Sequence, residues 1–302
     1  MEKFGFKSGF VALAGRTNVG KSTLINNIIG SKIVITSSKA QTTRNRVNCV
    51  YNEEKTQIIF VDIPGFLKPK TLLTEKLNRL IVDTLKDADV IVVLVDIAAG
   101  IGSGDFFVFD KVKGEGKPLI LVLNKIDLVS KEKIELEMEK IKDLNYFDSI
   151  VEISALKGIN IDKLINEIKK YLPEGPVYYP NDIISDRPIR NIVEDIIREK
   201  LINKLSEEIP HSIAVEIERF EEGKDKNGNS ITRIAALIYV QKKSHKKIVI
   251  GKSGRILKEV GIEARKEIEE LLGNKVFLEL WIKVKENWTM DENVLKELGY
   301  SN

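Results

Sequence analysis

Roughly the first 170 residues alternate short apolar runs with longer amphipathic segments, a pattern typical of parallel strands covered by helices. Strands are predicted at 10–14, 47–52, 57–62, 90–96, 119–124 and 150–154, and helices at 21–29 and 161–172. The polar residues 53–56 predict a hairpin between the second and third strands. The pattern therefore predicts one mainly parallel sheet with helices on both faces.

A different order of elements follows a proline-rich segment. Pro173, Pro176 and Pro180 crowd a stretch with few helix formers, which predicts a linker. Beyond it the pattern predicts a helix at 189–208, strands at 213–220 and 231–241, a helix ending near 250, a helix at 255–272 and a strand at 276–284. We therefore predict a first domain of residues 1–172, a linker of 173–187 and a smaller α+β domain of 188–302.

The composition agrees with two globular domains. The chain has 302 residues, of which 43% are hydrophobic, enough for about two cores. Its single cysteine, Cys49, excludes an internal disulfide framework and is typical of a reducing compartment. The sequence shows neither a signal-peptide pattern nor the ~18 consecutive apolar residues of a membrane span. We therefore expect a cytoplasmic protein.

A phosphate-binding loop is predicted where the first strand meets the first helix. The glycines of the motif GxxxxGKS allow a tight turn whose backbone N–H groups converge on a phosphate. Lys21 supplies a cation to the β and γ oxygens, and the Ser22 hydroxyl is a candidate magnesium ligand. The candidate nucleotide-binding residues here are Gly15, Arg16, Thr17, Asn18, Val19, Gly20, Lys21, Ser22 and Thr23.

Three later motifs complete a guanine nucleotide pocket. Asp62 ends a buried strand and can hold magnesium, while Gly65 can bring its N–H to a γ-phosphate. Asp127 of the motif NKID can accept from two guanine donors that adenine cannot offer. The alternative for NKID is a polar helix cap. The further candidate residues are Asp62, Ile63, Pro64, Gly65 and Phe66; Asn124, Lys125, Ile126 and Asp127; and Ser154, Ala155 and Leu156.

The groups that promote hydrolysis are less well defined by the sequence. A threonine in the polar segment 31–46 can complete the magnesium shell; we favour Thr43, with Thr42 as the alternative. Phe66 and Leu67 follow Gly65, so the water-orienting Gln of small GTPases is missing and slow intrinsic hydrolysis is expected. We hypothesise that Asn18 helps hold K⁺, the alternative being a loop-shaping role. The candidate catalytic residues are Asn18, Lys21, Thr43 and Gly65.

The second domain carries a predicted nucleic-acid site. Seven Lys or Arg residues and no Asp or Glu lie between Lys242 and Lys258, although the net charge is only +3. Within this basic segment a GxxG turn joins two helices, as in the clamp of a KH module that holds about four unpaired nucleotides. The candidate RNA-binding residues are Lys242, Lys243, Lys246, Lys247, Gly251, Lys252, Ser253, Gly254, Arg255 and Lys258. The alternative is a solvated basic face on a protein-binding domain.

Taken together, the motifs GRTNVGKST, SKAQTTR, DIPG, NKID, SAL, VIGKSGRILKEVG and LELWIKVKENW resemble the Era family of bacterial ribosome-assembly GTPases over nearly the whole chain. The resemblance implies a Ras-like P-loop GTPase domain followed by a type II KH domain, with Mg²⁺ and GTP or GDP as ligands. It also implies binding to the 3′ end of 16S ribosomal RNA on the small ribosomal subunit, in its assembly, and loose association with the inner face of the cell membrane. We expect a monomer. The chain departs from the family pattern at Thr17, Ile63 and Leu67, which bears on the hydrolysis rate. A membrane-surface protein regulated by nucleotide is a further alternative.

Overall fold

The computed structural model describes residues 5–36, 46–66, 71–205 and 209–300 of the chain. These residues divide into two compact units. The first comprises residues 5–34, 46–66 and 74–186, and the second comprises 187–205 and 209–300 together with 35–36 and 71–73.

The first unit is built on a six-stranded sheet of order β2-β3-β1-β4-β5-β6. Only β2 runs antiparallel to its neighbour, which confirms the predicted mainly parallel sheet and its hairpin. The strands are β1 Lys7–Gly15, β2 Val47–Glu53, β3 Thr56–Asp62, β4 Val90–Asp96, β5 Leu119–Asn124 and β6 Ser149–Ile153. The helices are α1 Lys21–Ile29, α2 Leu72–Asp87, α3 Ser103–Val112, α4 Lys131–Glu139 and α5 Ile161–Tyr171.

Both faces of this sheet are covered, as continuous apolar strands require. On one face Leu24 of α1 and Leu164 of α5 pack against the sheet. On the other face Ile81 of α2 and Phe109 of α3 do so. The fully buried strands β4 and β5 therefore lie between two hydrophobic cores, and their carboxyl ends are held in fixed positions.

The proline-rich segment packs along the edge of this sheet and belongs to the first unit. Ser8 N–H donates to the Pro173 carbonyl at 3.1 Å, and Val50 N–H donates to the Ile184 carbonyl at 2.9 Å. Gln57, which is fully buried, bonds the backbone of Tyr178 and Tyr179. The division between the units falls after Asp186. Residues 173–186 of the predicted linker 173–187 thus bond β1, β3 and the edge strand β2, and composition could not show these long-range hydrogen bonds.

The second unit has a three-stranded sheet of order β7-β8-β9, in which β7 is antiparallel and β9 parallel to β8. Its strands are β7 Ala214–Lys224, β8 Ser230–Val240 and β9 Lys275–Val284. Its helices are α6 Ile189–Lys204, α7 Lys243–Ile250, α8 Arg255–Leu272 and α9 Glu292–Glu297. The amphipathic faces of α6 and α8 bury Ile197, Val260 and Ile268 against the sheet. The predicted element order is confirmed, although α6 ends at Lys204 instead of residue 208.

The segment after β9 is anchored by an aromatic core. Trp288 is fully buried, and its indole N–H donates to the Ser212 carbonyl at 3.0 Å. The Tyr300 ring stacks on the Trp288 ring with centroids 6.2 Å apart. The end of the described chain therefore folds back as part of the second unit.

Candidate functional site

Four strands of the first unit deliver polar groups to one edge of the sheet. The parallel registers pair Leu13 with Asp62 and Gly15 with Leu94, and they pair Asp96 with Asn124. Because parallel strands end at the same edge, the four sequence motifs meet there although they are spread over 140 residues of chain. This edge is the position at which open α/β sheets bind ligands.

Lys21 lies at the centre of the phosphate loop. Its ammonium donates to the carbonyls of Arg16 at 3.0 Å and Gly15 at 3.4 Å. Burial lowers the pKa of Lys21 to about 8, although the nearby Asp62 carboxylate acts in the opposite direction. A buried cation that has only loop carbonyls and one carboxylate nearby is well placed to receive the charge of a bound phosphate.

The groups suited to a divalent cation lie beside Lys21. The Ser22 hydroxyl donates to Asp62 Oδ2 at 3.2 Å, and Asp62 is fully buried at the end of β3. A hydroxyl and a carboxylate that converge next to a phosphate loop are the hard oxygen ligands that Mg²⁺ prefers. The residues present therefore fit magnesium. The predicted third ligand, Thr43, and its alternative, Thr42, lie outside the described residues.

Asn124 joins three of the motifs through one side chain. Its amide N–H donates to the Val19 carbonyl at 2.7 Å, and its Oδ1 accepts from Ala155 N–H at 2.9 Å. Gly20 leaves room for this bridge, because a Cβ there would lie 2.3 Å from Asn124 Nδ2 and the φ of Gly20 is +103°. The N–H of Ala155, a predicted nucleotide-binding residue, is thus engaged by Asn124 in this structure.

Lys125 and Asp127 lie at the end of the pocket where the sequence predicts the guanine base. The Lys125 ammonium donates to Asn18 O at 3.1 Å and to Asp96 Oδ2 at 2.5 Å, so its aliphatic stem is held across the site. Asp127 is exposed in a 3₁₀ turn at 126–128, where its carboxylate is open to a base. Asp96 was not among the predicted residues. Its position at the end of a buried strand, like that of Asp62, was the signal that could have found it.

Some predicted pocket residues can offer only their backbone to a nucleotide. The side chains of Val19 and Ile63 are buried in the two cores. Arg16 turns away from the loop, and its guanidinium pairs with Asp105 at 2.8 Å. Asp105 is almost fully buried and also accepts from Gly102 N–H at 3.0 Å. Asp105 was missed because nothing in the sequence near α3 relates it to the phosphate loop.

The segment after Asp62 lies directly against the phosphate loop. A Cβ added to Gly65 would lie 2.7 Å from Thr17 N, and the Phe66 ring meets Phe107 of α3 edge-on with centroids 5.9 Å apart. Asn18 has a φ of +65°, which asparagine tolerates better than most residues. This conformation favours the loop-shaping alternative for Asn18, and its exposed side chain leaves the K⁺ hypothesis open.

In the second unit the GxxG turn lies between α7 and α8. Gly254 N–H donates to the Gly251 carbonyl at 3.2 Å, and Ser253 has a φ of +52°. A Cβ at Gly251 would lie 2.7 Å from Ile256 Cγ1, so glycine is required for this close approach. Lys252 and Ser253 are exposed at the tip of the turn, where a nucleic-acid backbone can reach them.

The predicted cations lie along α7, in this turn and at the start of α8. Lys246 is half-buried and the other six are exposed: Lys242, Lys243, Lys247, Lys252, Arg255 and Lys258. Arg255 is partly neutralised, because its Nε lies 2.8 Å from Glu259 Oε1. Five of the six exposed cations therefore remain as the main positive charge of this surface.

A groove of about 440 Å³ continues from the turn between α8 and β9. Gly254 and Lys258 of its lining were among the predicted RNA-binding residues, and the others were missed because they come from two elements that only the fold brings together. The lining residues are Gly254, Leu257, Lys258, Gly261, Ile262, Arg265, Phe277, Leu278 and Leu280. An apolar floor with cations at the rim suits unpaired bases whose phosphates face the solvent.

The fold and the sites define a P-loop GTPase carrying a KH module. A family described as 50S ribosome-binding GTPase matches residues 10–125, and the KH domain family matches residues 208–289. GTPase Era of Alkaliphilus oremlandii (strain OhILAs) is 50% identical over 295 residues, covering 98% of this chain and 99% of that protein. GTPase Era of Staphylococcus haemolyticus (strain JCSC1435) is 48% identical over 294 residues, covering 97% of each. The chain belongs to the Era family of GTPases.

Two solved structures agree with this assignment. A crystal structure of Era in complex with MgGDPNP and nucleotides 1506–1542 of 16S ribosomal RNA superposes with a TM-score of 0.94 at 41% identity, covering 98% of this chain and 100% of that one. An Aquifex aeolicus Era variant bound to GDP·AlF₄⁻ gives a TM-score of 0.93 at 41% identity with the same coverage. In the described part of this chain, no helix has the length and apolar character needed to cross a membrane.

Proposed function

We propose that this GTPase binds the 3′-terminal segment of 16S ribosomal RNA through its KH unit and acts in assembly of the small ribosomal subunit. The observation that carries the proposal is the exposed GxxG turn with its cations, which opens into an apolar groove. The solved Era complex with nucleotides 1506–1542 of 16S ribosomal RNA, which this chain matches over 98% of its length, supports it.

In the nucleotide pocket we assign each group one role. Lys21 and the loop N–H groups of residues 15–23 hold the β- and γ-phosphates, and Ser22 with Asp62 holds Mg²⁺. The metal supplies charge neutralisation at the transferring phosphate. Gly65 N–H would donate a hydrogen bond to the γ-phosphate of GTP, because Gly65 lies against the phosphate loop at Thr17. Thr43, or its alternative Thr42, would complete the magnesium shell when the γ-phosphate is present.

At the guanine end the assignments follow from the hydrogen bonds of the Asn124 side chain and from the exposed Asp127 carboxylate. Asp127 accepts hydrogen bonds from the ring N–H and the exocyclic amine of guanine. Asn124 fixes the distance between the phosphate loop and residues 154–156, and Lys125 covers one face of the base. Losing a hydrogen bond to a group that is buried by the ligand can give large discrimination, so this end determines the choice of guanine over adenine.

Hydrolysis should be slow without a partner. Small GTPases carry a water-orienting Gln shortly after this glycine, whereas here Phe66 and Leu67 follow Gly65. A monovalent cation held by Asn18 near the β- and γ-phosphates would supply the positive charge that an arginine finger gives in other GTPases. Hydrolysis measured in KCl and in NaCl tests this assignment. A rate increase in KCl that disappears in Asn18→Ala supports it, and equal rates in both salts would return Asn18 to a loop-shaping role.

The place of action that we propose is the cytoplasm, because the RNA and GTP are found there. We assign no residues of the described chain to the peripheral membrane association that the family resemblance implies. Flotation of the purified protein with liposomes, with and without RNA, tests it. Flotation without RNA would favour a membrane-surface role.

The RNA assignment is tested by changing the turn alone. Lys252→Asp combined with Ser253→Asp places two carboxylates where the nucleic-acid backbone approaches. The double variant should lose affinity for a labelled RNA of nucleotides 1506–1542, and its GTP affinity should stay at the wild-type value because the nucleotide pocket lies in the first unit. Wild-type affinity for that RNA should fall steeply with salt, since the cations release counterions. An unchanged RNA affinity in the double variant would favour a protein-binding second unit.

A further inference from the structure

The outward face of β9 carries an exposed row of aromatic and cationic side chains. Along this strand Val276, Leu278, Leu280, Ile282 and Val284 pack on the core of the second unit. The alternate positions are Lys275, Phe277, Glu279, Trp281 and Lys283. Phe277 is 52% exposed and Trp281 is 59% exposed, which is unusual for the two largest apolar side chains of a strand.

The charge of this row is positive in effect. Glu279 Oε2 lies 2.6 Å from Arg219 Nη2 of β7, so its carboxylate is already neutralised within the sheet. Lys275 and Lys283 are exposed at the two ends of the row, and the Lys275 ammonium also lies 3.8 Å from Glu269 Oε2 of α8. The other acidic side chains of this sheet, such as Glu216 and Glu221, lie on β7 at the opposite edge. A polyanion would therefore follow β9 and avoid β7.

The row is continuous with the groove of the KH unit. Phe277 itself lines the groove, and Leu280, next to Trp281, faces Gly261 of α8 across it. In the described sheet β9 is the edge strand, so a chain leaving the groove can pass over its outward face. The two rings are four positions apart along the strand, which at ~3.3 Å per residue is about 13 Å. Each ring therefore has room for a separate base.

We propose that Phe277, at the edge of the groove, and Trp281, beyond it, form a stacking platform for two unpaired RNA bases that continue the strand held in the groove, with Lys275 and Lys283 contacting the adjoining phosphates. Aromatic side chains receive bases of any identity, and interleaved cations follow the backbone. This inference rests on the proposed RNA-binding function of the second unit. It extends the RNA footprint from the groove to the outward face of β9.

Tryptophan fluorescence reports on this contact directly. The chain contains two tryptophans, of which Trp288 is fully buried and Trp281 is exposed. A base that stacks on Trp281 should quench its emission and shield it from acrylamide, while Trp288 contributes a nearly constant background. Titration of the wild-type protein with RNA of nucleotides 1506–1542 should therefore show saturable quenching. The Trp281→Phe variant should lack that change.

Affinity measurements with the same RNA separate stacking from charge. Phe277→Ala and Trp281→Ala should each weaken binding about 10-fold, with little change in the salt dependence. Trp281→Phe should retain most of the affinity because it keeps an aromatic face. Met290→Ala is the matched control, since Met290 is 58% exposed on the same unit and lies outside the row and the groove. Its RNA affinity should equal that of the wild type.

The possible results distinguish this inference from the proposed function. If Lys252→Asp with Ser253→Asp abolishes RNA binding while Phe277→Ala and Trp281→Ala bind RNA as tightly as the wild type, and RNA leaves the wild-type Trp281 emission unchanged, the KH function stands and the platform is refuted. The exposed rings would then serve a protein contact. If the wild-type protein binds no RNA, the proposed function fails and the platform fails with it.

Discussion

Replacing Asn124 with alanine should weaken GDP and GTP binding by disconnecting the two ends of the pocket. The Asn124 side chain bonds the Val19 carbonyl at 2.7 Å and the Ala155 N–H at 2.9 Å. Asn124 is 2% exposed, and both partners belong to buried residues. Alanine is smaller and cannot bond either group, so the loop and residues 154–156 lose their common anchor.

The size of the effect follows from these two contacts. Each buried polar group that loses its partner costs about 1–3 kcal/mol, so the bridge as a whole is worth about 2–6 kcal/mol before relaxation. Water entering at the mouth of the pocket recovers part of this cost. We therefore expect a loss of ~3 kcal/mol in nucleotide affinity, which is about 100-fold in Kd.

The assay is titration of a fluorescent GDP analogue, with Gln57→Ala as the matched control. Gln57 is also a fully buried amide, and it makes four hydrogen bonds, to Asn52 and to the backbone of Tyr178 and Tyr179. It lies at the start of β3, whereas the pocket lies at the end of that strand. Gln57→Ala should lower the thermal midpoint at least as much as Asn124→Ala and leave GDP affinity unchanged.

Two results would refute this reasoning. Wild-type GDP affinity in a folded Asn124→Ala protein would mean that the bridge does not organise the pocket. An equal loss of affinity in Gln57→Ala would mean that general loss of stability explains the effect.

Three further changes test individual groups. Asp127→Asn should weaken GTP binding and admit xanthosine triphosphate, because the amide can donate to the xanthine oxygen; competition titrations that show no gain for xanthine contradict this. GDP binding should take up about half a proton at pH 8.0 and about a tenth at pH 7.0, because the pKa of Lys21 near 8 rises when a phosphate pairs with it; calorimetry in buffers of different ionisation enthalpy measures this, and Lys21→Arg, which stays charged, should abolish the difference. Burial opposes ionisation of Glu137, but hydrogen bonds from Lys133, Lys140 and Ile101 N–H outweigh it and hold its pKa at about 2. Its stabilisation should therefore be complete above about pH 4.5 and be lost as the pH falls towards 2, so the stability gap between wild type and Glu137→Gln in urea unfolding should shrink between pH 6 and pH 3; a constant gap contradicts it.

Local sequence signals were sufficient for the elements that carry the site. The predicted bounds of β4, β5, α1 and α8 coincide with the structure, because each is a continuous apolar or amphipathic run that ends at a polar or glycine residue. The order of the GTPase and KH elements followed from those runs. Motif spacing then placed Lys21, Ser22, Asp62 and Asn124 at one sheet edge, since parallel strands all end there.

The sequence could not show contacts that depend on distant parts of the chain. The segment 173–186 has no periodicity, so its hydrogen bonds to β1, β2 and Gln57 left no local signal. Asp96 and Asp105 are ordinary acidic residues until the fold brings them to Lys125 and Arg16. The groove beside the GxxG turn also left no local signal in the sequence, because α8 and β9 line it jointly.

The most direct test of the account is whether RNA bound to the second unit changes GTP hydrolysis in the first. Single-turnover hydrolysis of GTP with Mg²⁺ should be measured with and without RNA of nucleotides 1506–1542, in the wild type and in Lys252→Asp with Ser253→Asp. We predict that RNA accelerates hydrolysis in the wild type and leaves the double variant at its RNA-free rate. Equal rates with and without saturating RNA in the wild type would contradict the proposal that this 16S RNA segment is the partner that raises the slow intrinsic hydrolysis.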